Sequence, residues 1–323
     1  MRAVVIEEYG GPEVLAADEV PDPAPGAGEL LVEVDHAGVN FIDTYQRIGR
    51  YPVPTPYVPG VEGSGTVAAI GDGVTGFLVG DRVAWTGVLG SYAELLAVPA
   101  ERAVEVPEAV SLDDAAAVML QGMTAHYLVH DTYPLQSGDR TLIHAAAGGV
   151  GRLLVQMAKA IGAEVFATVG SDDKVEVARA AGADHVINYT TLDFRDAIEE
   201  IAGPRPFPVI YDGVGATTFD DSLALIERRG LMASFGSASG PVPPMDPLQL
   251  SREGSLFLTR PSLGDYVASR DELVGRASAV LGAVGDGELD VLIDHRYPLA
   301  EAADAHRALE SRQTVGKLLI TTR

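Results

Sequence analysis

The stretch Thr141-Leu142-Ile143-His144-Ala145-Ala146-Ala147-Gly148-Gly149-Val150-Gly151 decides how this chain is read. A compact apolar run ends in small residues spaced Ala146-x-Gly148-x-x-Gly151. A helical pattern follows, with apolar residues at 150, 153, 154, 157, 158 and 161. Those offsets keep one face apolar at the 3.6-residue period of an α-helix, and Gly162 is a natural stop. Small residues let the backbone turn tightly and approach a pyrophosphate. The helix N-terminus then offers unpaired N–H groups and the positive end of a dipole to that anion. A glycine pattern alone is weak evidence. Between a buried strand and an amphipathic helix it points to a dinucleotide site, with a ligand-free structural turn as the plainer alternative.

Outward from the turn, strand candidates alternate with helical stretches: 141–146, 164–169, 185–189, 209–212, 231–235 and 256–259. Six strands in that rhythm describe a doubly wound parallel sheet, the Rossmann type. Residues 112–129 and 265–287 read as helix. Before residue 110 the chain is rich in Gly, Pro and short β-like runs such as Leu30–Val34, Gly65–Ile70 and Arg82–Trp85, which suggests a β-barrel-like domain. The tail returns to strand at 291–295 and 316–320, so it is expected to complete that barrel. The expected division is a barrel domain of 1–118 completed by 288–323, and a dinucleotide domain of 119–287.

The second strand of the pattern chooses between cofactors. It ends at Val169-Gly170-Ser171, where NAD binders usually carry an acidic ribose ligand. Gly170 cannot bind a 2′-hydroxyl. Ser171 and Lys174 could instead hold a 2′-phosphate, which favours NADPH. Asp172 and Asp173 stand between them and would weaken a phosphate unless they point outward.

Composition narrows the partners. The 323 residues carry a net charge of −23, which repels nucleic-acid backbones and anionic lipids. Only three of the 23 basic residues are lysines: Lys159, Lys174 and Lys317. The 47% hydrophobic content is enough for sizeable cores. There is no cysteine, which removes disulfides, thiol nucleophiles and every cysteine-ligated metal site. No apolar run approaches the ~20 residues that span a bilayer, and the expected location is cytoplasmic.

Several further blocks carry a resemblance. The run Gly138-Asp139-x-x-Leu142-x-x-x-Ala146-Ala147-Gly148-Gly149-x-Gly151-x-x-x-x-Gln156-x-x-Lys159 is joined by Gly38–Tyr45, Gly80–Val83, Gly122–Ala125 and Arg260–Leu263. Together they resemble the zinc-independent, zeta-crystallin-like quinone oxidoreductases among the medium-chain dehydrogenases. The resemblance implies a GroES-like barrel beside a Rossmann domain, hydride transfer from NADPH to quinones in the cleft between them, and a homodimer joined through the strand at 256–259. It places Asn40 and the segment Phe41, Ile42, Asp43, Thr44 and Tyr45 on the nicotinamide side, with Thr124 and Tyr127 at the domain junction. It gives Gly148, Gly149 and Val150 to the pyrophosphate, and Gly170, Ser171, Lys174 and Tyr189 to the adenosine phosphate. Val214, Gly236, Ser237, Phe257, Thr259 and Arg312 complete the implied cleft, although Ser237 stands where a relative has asparagine.

In the zinc alcohol dehydrogenases of that superfamily a Cys and a His bind the catalytic metal. Asn40 and Val61 stand at those positions here, so Lewis-acid activation is not expected. A quinone is already electrophilic, and hydride transfer then depends mainly on orientation. Tyr45 and Tyr51 are candidates to line the acceptor site or give a proton to the phenolate, with barrel packing as their plain role. Asn40 could hydrogen-bond the nicotinamide ribose or the acceptor oxygen, while Asp43 is expected to order its own loop. His126 and His130 are taken as ordinary helix residues and His144 as a satisfied core residue. Arg312 suits either a phosphate or an ion pair with Glu310. The competing activities are reduction of α,β-unsaturated aldehydes or ketones by NADPH, and a non-catalytic dinucleotide-binding role of crystallin or RNA-binding type.

Overall fold

The structure is a computed structural model that describes residues 1–322. It divides into two compact units: residues 1–123 with 267 onward, and residues 124–266. The division by compactness differs from the expected one. The helix Arg270–Gly285 belongs to the first unit, because Arg270 donates to the carbonyl of Glu101 at 2.9 Å and Arg102 to that of Val267 at 3.3 Å.

The 124–266 unit is built on a six-stranded, wholly parallel sheet. Its spatial order is His185–Asn188, Glu164–Val169, Arg140–Ile143, Phe207–Asp212, Ile226–Ser234 and Phe257–Thr259. Numbered along the chain, that is the doubly wound order 3-2-1-4-5-6. The order reverses between Arg140–Ile143 and Phe207–Asp212, and ligands of such sheets bind beyond the strand ends at that switch point. The core interleaves Leu142, Phe166, Ile187, Ile210 and Met232 with Phe194, Ile198 and Leu223 from the helices. The first strand ends at Ile143 rather than Ala146, because Ala145 takes φ 53° and starts the turn. The fifth starts earlier than expected, at Ile226, with a register irregularity against Phe207–Val209.

In the other unit a mixed seven-stranded sheet curls around Leu30, Val32, Val34, Val67, Val83, Trp85 and Val98. Its spine is the long strand Glu29–Val39. The first half of that strand pairs antiparallel with Leu95–Pro99, and its end pairs with Lys317–Thr321. Glu62–Ile70 runs along its other side. The strand Ile293–Pro298 joins in parallel with Lys317–Thr321, through the crossover helix Ala302–Ser311. Two neighbours of one strand thus come from opposite ends of the chain.

Candidate active site

The glycine turn forms a close strand-to-helix junction. Gly148 precedes the helix Gly149–Ile161, which ends at Gly162 with φ 97°. A Cβ on Gly151 would lie 2.3 Å from the Ala145 carbonyl oxygen and 2.9 Å from Ala146 Cα, so only glycine permits this approach. Beneath the turn, fully buried His144 meets the Thr168 hydroxyl through Nδ1 and the Ser222 hydroxyl through Nε2, both at 2.8 Å. Ser222 gives its own proton to the Thr218 carbonyl, so Nε2 carries hydrogen and Nδ1 accepts from Thr168. Burial lowers the His144 pKa, and the ring is a neutral core bridge. Asp212, also fully buried, accepts from the N–H groups of Val214 and Gly215 and from the Thr218 hydroxyl. That carboxylate shapes the loop carrying Val214, while Gly236 donates to the Asp212 carbonyl and Ser237 accepts from Gly240.

Past the second strand, the two aspartates behave differently. Asp172 turns to Asn188, whose amide donates to it at 2.7 Å. Asp173 stays with the expected phosphate ligands. Its carboxylate is held below the usual range by the Ser171 hydroxyl foremost, with a smaller contribution from the charge of Lys174. Gly170 lies against Tyr189, whose hydroxyl would be 2.9 Å from a Cβ there.

In the first unit, helix Phe41–Arg47 follows Asn40, the residue after the spine strand. Asp43 and Arg47, one turn apart, fix its inner face. Asp43 Oδ2 accepts the Asn40 N–H at 2.8 Å and the Tyr92 hydroxyl at 3.2 Å. Arg47 donates to His306 Nδ1 at 2.9 Å, to Glu310 at 2.8 Å and to the Gly10 carbonyl at 3.1 Å. With Nδ1 accepting, His306 Nε2 carries hydrogen toward the Tyr92 oxygen at 3.1 Å. The donors therefore run one way, from Arg47 through His306 and Tyr92 to Asp43. Burial and then Arg47 lower the His306 pKa to about 3, and burial raises Asp43 to about 7.

The opposite pair, Phe41 and Tyr45, faces outward with ring centroids 6.2 Å apart. Tyr51 meets Tyr45 edge-on at 5.7 Å, and the Arg50 guanidinium lies 4.7 Å from the Tyr45 ring. The two tyrosines chosen from sequence form one aromatic cluster. Thr44 is turned inward, its hydroxyl donating to the Phe41 carbonyl at 2.8 Å, and Ile42 is partly exposed.

Asn40 departs from expectation. Its amide nitrogen donates to Glu62 Oε2 at 2.8 Å and to the Gly38 carbonyl at 3.2 Å. Its amide oxygen accepts from Lys317 at 2.8 Å and from Gln121 at 3.4 Å. An amide has two donor hydrogens and two lone pairs; Glu62, Gly38 and Lys317 take three of these at 2.8–3.2 Å, and Gln121 is the longest contact at 3.4 Å. The Asp43 side chain is wholly buried. Asn40 precedes the helix Phe41–Arg47, and Asp43 lies in its first turn. Glu310 pairs with Arg47 at 2.8 Å, and Arg312 closes the helix Ala302–Ser311 at φ 58°. In the 124–266 unit, Thr124 is buried and Tyr127 stacks on Tyr266 with centroids 4.1 Å apart. Phe257 and Thr259 lie on the edge strand of the sheet. The sequence reading missed Glu62, Tyr92, Asp212, His306 and Lys317. Lys317 alone left a signal, as a lysine opening an apolar strand in an arginine-rich chain.

Comparison with known proteins fits this geometry. An alcohol dehydrogenase GroES-like domain model matches residues 26–108, and a zinc-binding dehydrogenase model matches 149–263. A quinone oxidoreductase of Pseudomonas aeruginosa is 44% identical over 321 residues, 99% of each chain. The chain belongs to the quinone oxidoreductase family. The quinone oxidoreductase of Escherichia coli, solved in complex with NADPH, superposes with a TM-score of 0.97 at 40% identity, covering 100% of both chains. Among the relatives is also a 2-haloacrylate reductase of a Burkholderia species, 41% identical over 99% of this chain and 98% of its own.

One model's description raises zinc, and the residues present do not fit it. At the two ligand positions this family member has an amide with all its hydrogen bonds made and the aliphatic Val61. The adjacent Glu62 carboxylate already holds the Lys317 ammonium at 2.6 Å. Among the described residues one cluster, Asp35, His36 and Asp113, could present three ligand atoms to a metal, and Asp113 there already receives Arg296 at 2.6 Å. No helix among the described residues is long and apolar enough to cross a membrane.

Proposed function

We propose that the protein is a cytoplasmic, zinc-independent NADPH:quinone oxidoreductase that works as a homodimer. The observation that carries this reading is the Gly148–Gly151 turn at the switch point of a 3-2-1-4-5-6 sheet, in a chain similar end to end to quinone oxidoreductases. When bound, NADPH supplies the hydride, and with one proton a quinone becomes a hydroquinone. The turn, with the N-terminus of helix Gly149–Ile161, would hold the pyrophosphate. Ser171 and Lys174 would hold the 2′-phosphate. Phe41, Tyr45 and Tyr51 would form the aromatic wall that stacks the acceptor, and either tyrosine hydroxyl or solvent would give the proton. An orienting site of this kind needs no Lewis acid for an electrophilic acceptor.

The dimer proposal is supported by the edge strand Phe257–Thr259. Among the described residues it pairs on one side only, with Ile226–Ser234, and Phe257 is 62% exposed. An apolar, half-paired edge is a template for a second copy of the strand. The 2-haloacrylate reductase among the relatives favours one second reading, reduction of an activated carbon–carbon double bond by the same hydride.

The test is to titrate purified protein with NADPH and NADH, then follow NADPH oxidation against a quinone panel and an enal and haloacrylate panel. Turnover of quinones with NADPH preferred is expected. Tight NADPH binding without turnover of any acceptor would overturn both enzymatic readings, and turnover of enals alone would favour the second.

A further inference from the structure

The strand register of the first unit gathers three polar side chains at one spot. On the spine strand Gly38 lies opposite Leu319, and Val39 opposite Leu318, so Lys317 comes beside Asn40. On the other side Ala37 lies opposite Gly63, so Glu62 comes beside Gly38. Lys317 and Glu62 are separated by 255 residues, yet their side chains are 2% and 0% exposed and 2.6 Å apart. Glu62 Oε1 also takes the Leu120 N–H at 2.5 Å, and Oε2 takes the Asn40 amide. A Cβ on Gly38 would stand 2.2 Å from Glu62 Oε2 and 2.8 Å from the Ala116 carbonyl oxygen, so the backbone leaves room for this carboxylate.

A buried ion pair is a poor device for stability, since well-packed apolar residues do as well. Its value is in fixing a geometry. Here it is tied by two hydrogen bonds to the Asn40 amide, and Asn40 starts the helix carrying Phe41 and Tyr45. We propose that Lys317 is a positioning residue of the active centre. Its ammonium is the site's cation, balancing Glu62 and locking residue 40, as a metal would where residue 40 is a ligand. A lysine suits this place better than arginine, because a compact ammonium can meet the Glu62 carboxylate and the Asn40 carbonyl together. A planar guanidinium needs more room. The consequence for catalysis rests on the assignment of Phe41–Tyr45 to the acceptor wall.

The experiment compares wild type with Lys317→Met, Glu62→Gln and the double variant, in which no buried charge is left unpaired. Thermal unfolding, NADPH affinity, kcat and KM for 1,4-benzoquinone, and amide hydrogen exchange of residues 40–47 are measured on each. The single variants are expected to lose stability, and the double variant to recover it. In the double variant exchange of 40–47 should quicken while 141–161 stays unchanged. NADPH affinity should hold within about threefold while kcat falls at least about tenfold, as expected for a misplaced acceptor wall. Lys317→Arg should not restore kcat. A double variant, folded or marginal, whose 40–47 exchange equals that of wild type would overturn the proposal, as would a double variant with wild-type kcat. Wild type inert toward every acceptor would sink the functional reading alone, because the exchange result is read without turnover.

Discussion

Replacing Gly151 by alanine tests whether the close approach at the turn sets dinucleotide affinity. The new Cβ would lie 2.3 Å from the Ala145 carbonyl oxygen and 2.9 Å from Ala146 Cα. Both are backbone atoms, so no rotamer change relieves the clash. Even a tight 3.0 Å contact requires the helix to retreat by about 0.7 Å. Overpacking of this kind costs about 1–3 kcal/mol, and the better helix propensity of alanine returns about 0.5–1 kcal/mol. The net loss of up to about 2.5 kcal/mol should lower Tm by up to roughly 10 °C. Binding should suffer more. The retreat withdraws the helix N–H groups from the pyrophosphate, and losing one charge-assisted hydrogen bond of about 1.5–3 kcal/mol weakens NADPH by about ten- to a hundredfold. Gly148→Ala is the control. Its Cβ would meet the Ala145 oxygen at 3.2 Å, and its φ of −81° suits any residue. It should cost under about 1 kcal/mol and a few-fold in affinity. Thermal unfolding and a nicotinamide-fluorescence titration read both quantities. NADPH affinity unchanged in Gly151→Ala, or Gly148→Ala the more damaging of the two, would refute the reasoning.

Further perturbations probe the 2′-phosphate site, the sheet edge and the buried Asp43. Lys174→Ala should weaken NADPH far more than NADH, while Asp173→Ala, by removing the carboxylate on Ser171, should tighten NADPH; parallel titrations showing equal changes for both cofactors would remove these residues from the 2′-phosphate site. Phe257→Asp should shift the protein toward monomer in sedimentation, by placing a charge on the exposed edge strand, and an unchanged mass would move the dimer contact elsewhere. Burial raises the Asp43 pKa from 3.8 to about 7, so between those values the folded protein keeps a proton that the unfolded chain has released. Stability from this group therefore falls as pH rises through that window, by at most about 1.4 kcal/mol per unit, and is level above it. Urea unfolding should show wild type losing ground to Asp43→Asn as the pH is raised from about 5 to about 7; a gap that is flat or widens the other way contradicts the buried carboxyl.

What could be read without coordinates was local in sequence. The turn, the helix after it and the alternation of strands and helices are all written within a few tens of residues. Backbone sterics and the hydrophobic period act over that range. The expected strands at 164–169 and 185–189 therefore match Glu164–Val169 closely and His185–Asn188 to within one residue. Ends set by backbone conformation were less legible, as at Ala145, where a left-handed residue stops a strand that the apolar pattern would continue.

The sequence by itself determined the class of the protein: a parallel sheet with a dinucleotide turn, and no cysteine for a metal. Tertiary structure alone decided which side chains surround Asn40. Lys317 and Glu62 lie on strands that flank the one Asn40 follows, and their register is fixed by core packing over separations of 255 and 277 residues. It likewise decided that Asp172 turns to Asn188 while Asp173 stays beside Ser171. Short-range pattern encodes which elements form. Which side chains share a buried spot depends on strand pairing across the whole chain, and only the folded molecule fixes that.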